Sequence, residues 1–469
     1  MPRWTAGIGL ASCLVATAAG ANGRFPEAQM IVAGRGAAKS ALAIRTTFGV
    51  VLRDPTGFRF VCEEVVGTGA VIYDPPIGLD GNGRLLAGLW DGFARGAVDA
   101  CASTRTATLE GEAIQDLDVD PTGLLVVAVS RTGLFTGASA VFRSLDGGAS
   151  FTRLAQVPET AFSTVEIAPS DLSRLWLTAR TKAARTVVYR SDDGGKTLVE
   201  VTALPRPEEA YVAAVDPTNP DRAFVRLAYQ DTSFLTRSAA YRTDDAGKTW
   251  SLVADVPGHM LGFAIDPSGK KVFLGGPEAG LLRSLDGAAP VPISTAKVRC
   301  LRHHEGRLYA CLGSTASTFG VAASCDDGAT LPMILDLPSL TSSVTCASGT
   351  TGAVCPSKLA TLRVGLEAGV APPVCATDAA TDGGTDAADD VVDAPELAEV
   401  AVDAATDAAT ADTSIDVGTT DAGPATPRFE RATGAGCQDG RLTRHEGSTT
   451  LLAVGALACA AALGARRRR

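Results

Sequence analysis

The chain has no G-x-S-x-G elbow, no H-E-x-x-H pair and no Walker loop. The serine-hydrolase, zinc-peptidase and P-loop routes to chemistry are therefore without their short motifs. Histidine occurs four times in 469 residues and aromatic residues make up 5%, which leaves little material for a histidine metal site or an aromatic stacking groove. No C-x-x-C is present, so the eleven cysteines lack zinc-ribbon and thioredoxin spacing. Residues 376–427 hold no Lys, Arg or aromatic side chain but 13 acidic ones, so the net charge of −10 leaves +3 for everything else. A near-neutral remainder without a basic stripe lacks the electrostatic term that drives nucleic-acid binding. Neither a cofactor nor a metal is expected.

What is present is repetition. Ser144-Leu145-Asp146-Gly147-Gly148-Ala149-Ser150-Phe151, Ser191-Asp192-Asp193-Gly194-Gly195-Lys196-Thr197-Leu198, Thr243-Asp244-Asp245-Ala246-Gly247-Lys248-Thr249-Trp250 and Ser324-Cys325-Asp326-Asp327-Gly328-Ala329-Thr330-Leu331 share one rule, Ser/Thr-x-Asp-x-Gly-x-Thr/Ser-apolar. Ser284-Leu285-Asp286-Gly287 is a truncated copy. An Asp side chain accepts hydrogen bonds from backbone N–H groups a few residues on and closes a loop locally, while Gly supplies positive φ. Strand-like runs such as Thr186–Arg190 precede the copies, which places each on a turn between antiparallel strands. The pattern resembles the Asp-box (BNR-like) of sialidase-like and sortilin-like β-propellers, in which the box is a structural turn.

A second repeat runs in phase with the first. Turn signals at Asp120-Pro121, Ala168-Pro169, Asp216-Pro217 and Asp266-Pro267 each precede an apolar strand, with prolines 48, 48 and 50 residues apart. The box aspartates 146, 193, 245, 286 and 326 are spaced by 47, 52, 41 and 40. A period near 45 suits a four-stranded propeller blade. Extending it backwards finds worn copies at Asp54 and Asp99. The expected fold is all-β, a propeller of seven blades (six as the fallback) over residues 22–375. Closure of such rings normally pairs strands from both chain ends in one blade, so loss of either end should unfold the domain.

Residues 1–21 read as a secretory signal, with Leu10-Ala11-Ser12-Cys13 leaving a lipoprotein reading open. Eight cysteines then fall in the propeller: Cys62, Cys101, Cys300, Cys311, Cys325, Cys346, Cys355 and Cys375. Eight allow 105 connectivities. Neighbours in sequence give Cys62–Cys101, Cys300–Cys311 and Cys346–Cys355, leaving Cys325–Cys375 to tie the last blade to the domain exit, and disulfides in an oxidising compartment are the expectation.

Residues 376–435 cannot bury enough apolar surface to fold and read as an extended acidic stalk. The segment 436–469 orders Gly436-Cys437, a polar spacer, the apolar run Leu451–Ala465 and four terminal arginines. Fifteen apolar residues fall short of the roughly 20 a spanning helix needs. The order of parts resembles the myxobacterial type of C-terminal sorting signal (MYXO-CTERM-like). That resemblance implies cleavage near Cys437 by a membrane protease and lipidation there for surface display; a simple tail anchor is the alternative. Stretches around Cys62 and Cys300–Cys311 are also similar to myxobacterial surface propellers.

Sialidases of this fold use an arginine triad, a Tyr–Glu pair and an Asp acid/base. Tyr211 beside Glu208-Glu209 is the one Tyr–carboxylate neighbourhood worth naming, although adjacent strand residues face opposite ways. The Arg-Ile-Pro opening is missing, with Arg24-Phe25-Pro26 its nearest echo. His303-His304-Glu305 is expected on a solvated hairpin tip, and Trp90 is the tryptophan expected on an exposed turn. The reading is an exported, surface-displayed propeller that binds or adheres without catalysis. Its partners would be a glycan or envelope protein and a sorting protease, with membrane contact only through the tail. The alternative is an extracellular glycosidase or lyase.

Overall fold

The computed structural model describes residues 27–68, 73–131, 138–313 and 320–363. The signal, stalk and sorting calls, with Cys375 and Cys437, lie outside the described residues. Within them, strands of two to eight residues succeed one another in antiparallel fours. The first blade is β1 (Ala28–Ala33), β2 (Leu42–Thr46), β3 (Gly49–Asp54) and β4 (Gly57–Cys62). The second is β5 (Ile77–Leu79), β6 (Leu85–Leu89), β7 (Gly92–Gly96) and β8 (Ser103–Arg105). The third and fourth are β9 (Ile114–Val119), β10 (Val126–Ser130), β11 (Ala138–Ser144) and β12 (Thr152–Pro158), then β13 (Thr160–Ile167), β14 (Leu175–Thr181), β15 (Thr186–Ser191) and β16 (Val199–Glu200). These two join into one sheet through a parallel contact of Ala138 with Thr160. The fifth is β17 (Ala210–Val215), β18 (Ala223–Gln230), β19 (Thr236–Thr243) and β20 (Ser251–Pro257). The sixth is β21 (Gly262–Ile265), β22 (Lys271–Gly276), β23 (Gly280–Leu285) and β24 (Val291–Ser294). The seventh is β25 (Val298–His304), β26 (Arg307–Leu312), β27 (Gly320–Ser324) and β28 (Met333–Asp336).

The first strand of each blade packs on the first strand of the next, and β25 packs on β1, so the fold is a seven-bladed β-propeller. Burial follows position. Every residue of β13 and β17 is buried, whereas β12 has none buried and β20 only Ala254 and Val256. A strand covered on both faces is mostly apolar and pairs the polar groups it carries, as Ser163 does with Glu209 and Thr164 with Thr178, while an outer edge is solvated. The apolar side chains fill the gaps between blades. Phe93 of β7 meets Phe151, the last residue of the next blade's repeat, edge-on at 4.9 Å, and Trp176 meets Trp250 likewise at 6.3 Å. Buried arginines staple neighbours: Arg45 of β2 donates to the Pro75 carbonyl at 2.9 Å, and Arg226, at the same offset in β18, donates to that of Met260 at 2.6 Å.

Closure corrects two expectations. Each blade is built from consecutive strands, so among the described residues no blade combines strands from both chain ends. Instead the chain leaving β28 returns to the outer edge of the first blade. There the Phe60 N–H donates to Ser342 O (2.9 Å) and the Val344 N–H to Phe60 O (3.0 Å). Disulfides then join Cys62 to Cys355 and Cys101 to Cys346, in place of the Cys62–Cys101 and Cys346–Cys355 pairs expected from sequence proximity; Cys300–Cys311 spans β25 and β26. Cys325 is also disulfide-bonded, and its expected partner Cys375 lies outside the described residues. Helix α1 (Glu63–Val66) and helix α2 (Cys355–Arg363) meet here, with Lys358 paired to Glu64 at 2.6 Å. Gly352 is required by close approach: a Cβ there would lie 2.6 Å from Cys346 Sγ and 2.9 Å from Cys101 O.

Candidate functional site

The two in-phase repeats occupy one face of the disc. In four copies the same bonds recur. The Ser or Thr hydroxyl (144, 191, 243, 324) donates to the Asp carboxylate (146, 193, 245, 326). That same hydroxyl accepts from the N–H of Gly148, Gly195, Gly247 or Gly328. The residue four on from each Asp donates to it through both backbone N–H and hydroxyl. In Asp146 and Asp193 partial burial alone would raise the carboxyl, but these donors outweigh it and hold both at about 2. In Asp245 the Thr249 donors lead, with the same result. These turns are tied to the Asp-Pro turns of their own blades: Gly147 N–H to Leu124 O, Gly194 N–H to Ser173 O and Ala246 N–H to Asp221 O, at 2.7–3.1 Å. That bonding is why the two repeats keep phase.

Asp54, Asp99 and Asp286 sit on the equivalent third-to-fourth-strand turns with smaller networks. Asp54 accepts from Thr56 and pairs with Arg59, and Asp99 accepts from the Cys101 N–H at 2.9 Å. Asp286 has φ of 49° and shows none of the four-bond set, with Ser284 donating to Ala288 O instead.

The inner strands enclose a mixed lining of Arg35, Asp118, Glu166 and Arg302 with Met30, Ile77 and Leu117. Arginines and carboxylates gathered at a channel mouth would favour a catalytic site. The space they leave is about 30 Å³, room for one water and none for a sugar ring. Asp118 is also committed, accepting from the Ile167 N–H at 2.8 Å. Arg226 stands in a largely apolar strand, a charge out of pattern that sequence reading could have flagged; Arg302 shares its strand with Arg299, His303 and His304 and gave no such signal.

On the opposite face lies an open depression of about 420 Å³ lined by Arg180, Ala184, Pro207, Glu208, Glu209 and Ala228. The connector between the fourth and fifth blades forms its wall, and many bonds hold that wall. Thr186 donates to Glu208 O (2.7 Å), Ser163 to Glu209 Oε1 (2.8 Å), and the Arg206 guanidinium lies 3.6 Å from the centre of the Tyr229 ring. Tyr211 is not part of it: the ring is buried in β17 with the Arg226 guanidinium 5.5 Å from its centre. Trp90 (61% exposed) and Phe234 (82% exposed) occupy second-to-third-strand turns on this same face.

The histidine expectation is corrected. The tip is Glu305-Gly306, and His303 is still within β25, buried and stacked on Phe273 at 6.2 Å. His304 lies against the Lys39 carbonyl at 2.6 Å. Burial lowers both imidazoles, His304 to about 4. Among the described residues no three His, Cys, Asp or Glu gather closely enough to hold a metal ion.

No protein-family model and no curated protein matches the chain. Solved β-propeller structures do resemble it. An ancestral GH74 enzyme is 15% identical, covering 65% of this chain and 46% of its own, with a TM-score of 0.49. The chain thus spans less than half the length of that enzyme. The GH74 enzyme of Niastella koreensis is 12% identical (68% and 66% covered, TM-score 0.39). The β-propeller domain of the Trilobed protease from Pyrococcus furiosus is 12% identical (67% and 86% covered, TM-score 0.39). Identities this low concern the fold alone, and no residue role is carried over from them.

Proposed function

We propose that the chain is an exported, surface-displayed propeller of the Asp-box (BNR-like) kind that binds a glycan or envelope protein without catalysis. Binding is assigned to the face opposite the Asp turns. The observation that carries this is that exposed Trp90, exposed Phe234 and the 420 Å³ depression all lie on that face, while the space among Arg35, Asp118, Glu166 and Arg302 of the inner strands is only about 30 Å³. Exposed aromatic side chains away from the core are the usual currency of recognition surfaces. The disulfides support an oxidising compartment. Display through cleavage near Cys437 and an acidic stalk completes the reading. The test is incubation of the chain with bacterial polysaccharides and envelope fractions, scoring retention and bond cleavage separately. Retention without cleavage is expected; cleavage overturns the reading.

A second reading, a glycan-processing enzyme of the sialidase-like superfamily, has one observation in its favour: Glu208 and Glu209 line the same depression. Glu209 is already held by Ser163, which speaks against its acting as an acid or base.

A further inference from the structure

The connector that walls the outer depression is fixed at nearly every position. Trp250 donates to Thr202 O, Arg206 stacks on Tyr229, Tyr229 donates to Asp255, and Thr186 and Ser163 hold Glu208 O and Glu209. Against that background two charged groups are left over. Glu208 Oε2 is buried and accepts no hydrogen bond, and Arg180, across the same depression, makes no ion pair among the described residues. A buried carboxylate oxygen without a donor costs free energy, which a ligand ammonium restores once the Glu208 carboxylate turns Oε2 towards the depression that the residue lines. Opposite charges lining one cavity and not pairing with each other have the complementarity of a zwitterion. A carboxylate matches the guanidinium fork, and an ammonium matches the carboxylate. Ala184, Pro207 and Ala228 supply a small apolar lining.

We propose that the depression between the fourth and fifth blades binds an amino-acid-sized zwitterion, with its carboxylate on Arg180 and its ammonium on Glu208. This rests on the reading of that face as the binding face and names its ligand class. Calorimetric titration of the full-length chain with alanine (compact) and glycylglycine (extended) tests it. Acetate and methylammonium serve as single-charge controls, and glucuronate as an acidic sugar without an ammonium. At least one zwitterion should bind about tenfold tighter than either control. Arg180→Gln and Glu208→Gln should each abolish that preference with the melting temperature unchanged. Zwitterions no better than the controls, glucuronate equal to them, or variants without effect would overturn the assignment. If either variant lowers the melting temperature, the conservative Arg180→Lys and Glu208→Asp decide by the same criterion. Retention of polysaccharide or envelope protein by a chain that ignores zwitterions would sink this site while leaving the binding-module reading intact.

Discussion

Cys62 and Cys355, 293 residues apart in sequence, are disulfide-bonded, and the bond fastens the tail that follows the seventh blade to the outer strand of the first. Cys101–Cys346, with a separation of 245, fastens the same tail to the second blade. Together with the Phe60 hydrogen bonds to Ser342 and Val344, they do the work that strand exchange does in other closed rings.

The two clasp disulfides should therefore overlap in part, each worth less while the other is closed. In a chain-entropy treatment a loop of this size is stabilised by about 5 kcal/mol, against about 3 for the 11-residue Cys300–Cys311 loop. Once one clasp is closed, the second closes a loop of only about 48 residues, worth about 4 kcal/mol in the same treatment. Paired Cys→Ser variants of either clasp should each lose about that much by urea unfolding, and the quadruple variant more than their sum. Additive losses would show that the clasps do not share one closure.

Local bonding at the Asp turns differs between copies, and stability should follow it. Asp193→Ala removes an acceptor serving Ser191, Lys196 and Thr197 and should cost about 1–2 kcal/mol by denaturant unfolding. Asp286→Asn, where none of those bonds exists and φ is 49°, should stay within about 0.5 kcal/mol. Equal effects at the two sites would contradict the hydrogen-bond account.

Acid should weaken the fold in two stages. His304 has its pKa lowered from 6.5 to about 4, so the unfolded chain takes up a proton that the folded chain refuses, and stability falls between those values. Asp146, Asp193 and Asp245 are depressed from 3.8 to about 2; their contribution is present above 3.8 and is lost as pH falls towards 2. Melting temperature against pH should show both slopes, and His304→Gln should reduce the upper one only, leaving the share that buried His303 contributes.

How much of this was legible in the sequence depended on how local the physics is. The Asp turns close within eight residues, so their spacing reported the blades, and the worn copies at Asp54 and Asp99 fell on the right turns. Disulfide partners were misread because pairing by proximity ignores a ring, in which residue 355 returns to residue 62. His303 was misplaced by the length of β25, which continues to within one residue of the tip. The depression was invisible because its walls come from three segments, near residues 180, 208 and 228, that only blade packing brings together. Of that group, Glu208-Glu209 stood out in the sequence, but in the company of Tyr211, which is buried elsewhere.

The binding face is the central claim, and a comparison of matched variants tests it most directly. Retention of the full-length chain on the polysaccharide or envelope fraction it selects would be measured for Trp90→Ala/Phe234→Ala and for Leu145→Ala, which removes an exposed side chain from the Asp-turn face. The account predicts at least a tenfold loss for the double variant and none for Leu145→Ala. Unchanged retention in the double variant, or a loss confined to Leu145→Ala, would contradict it.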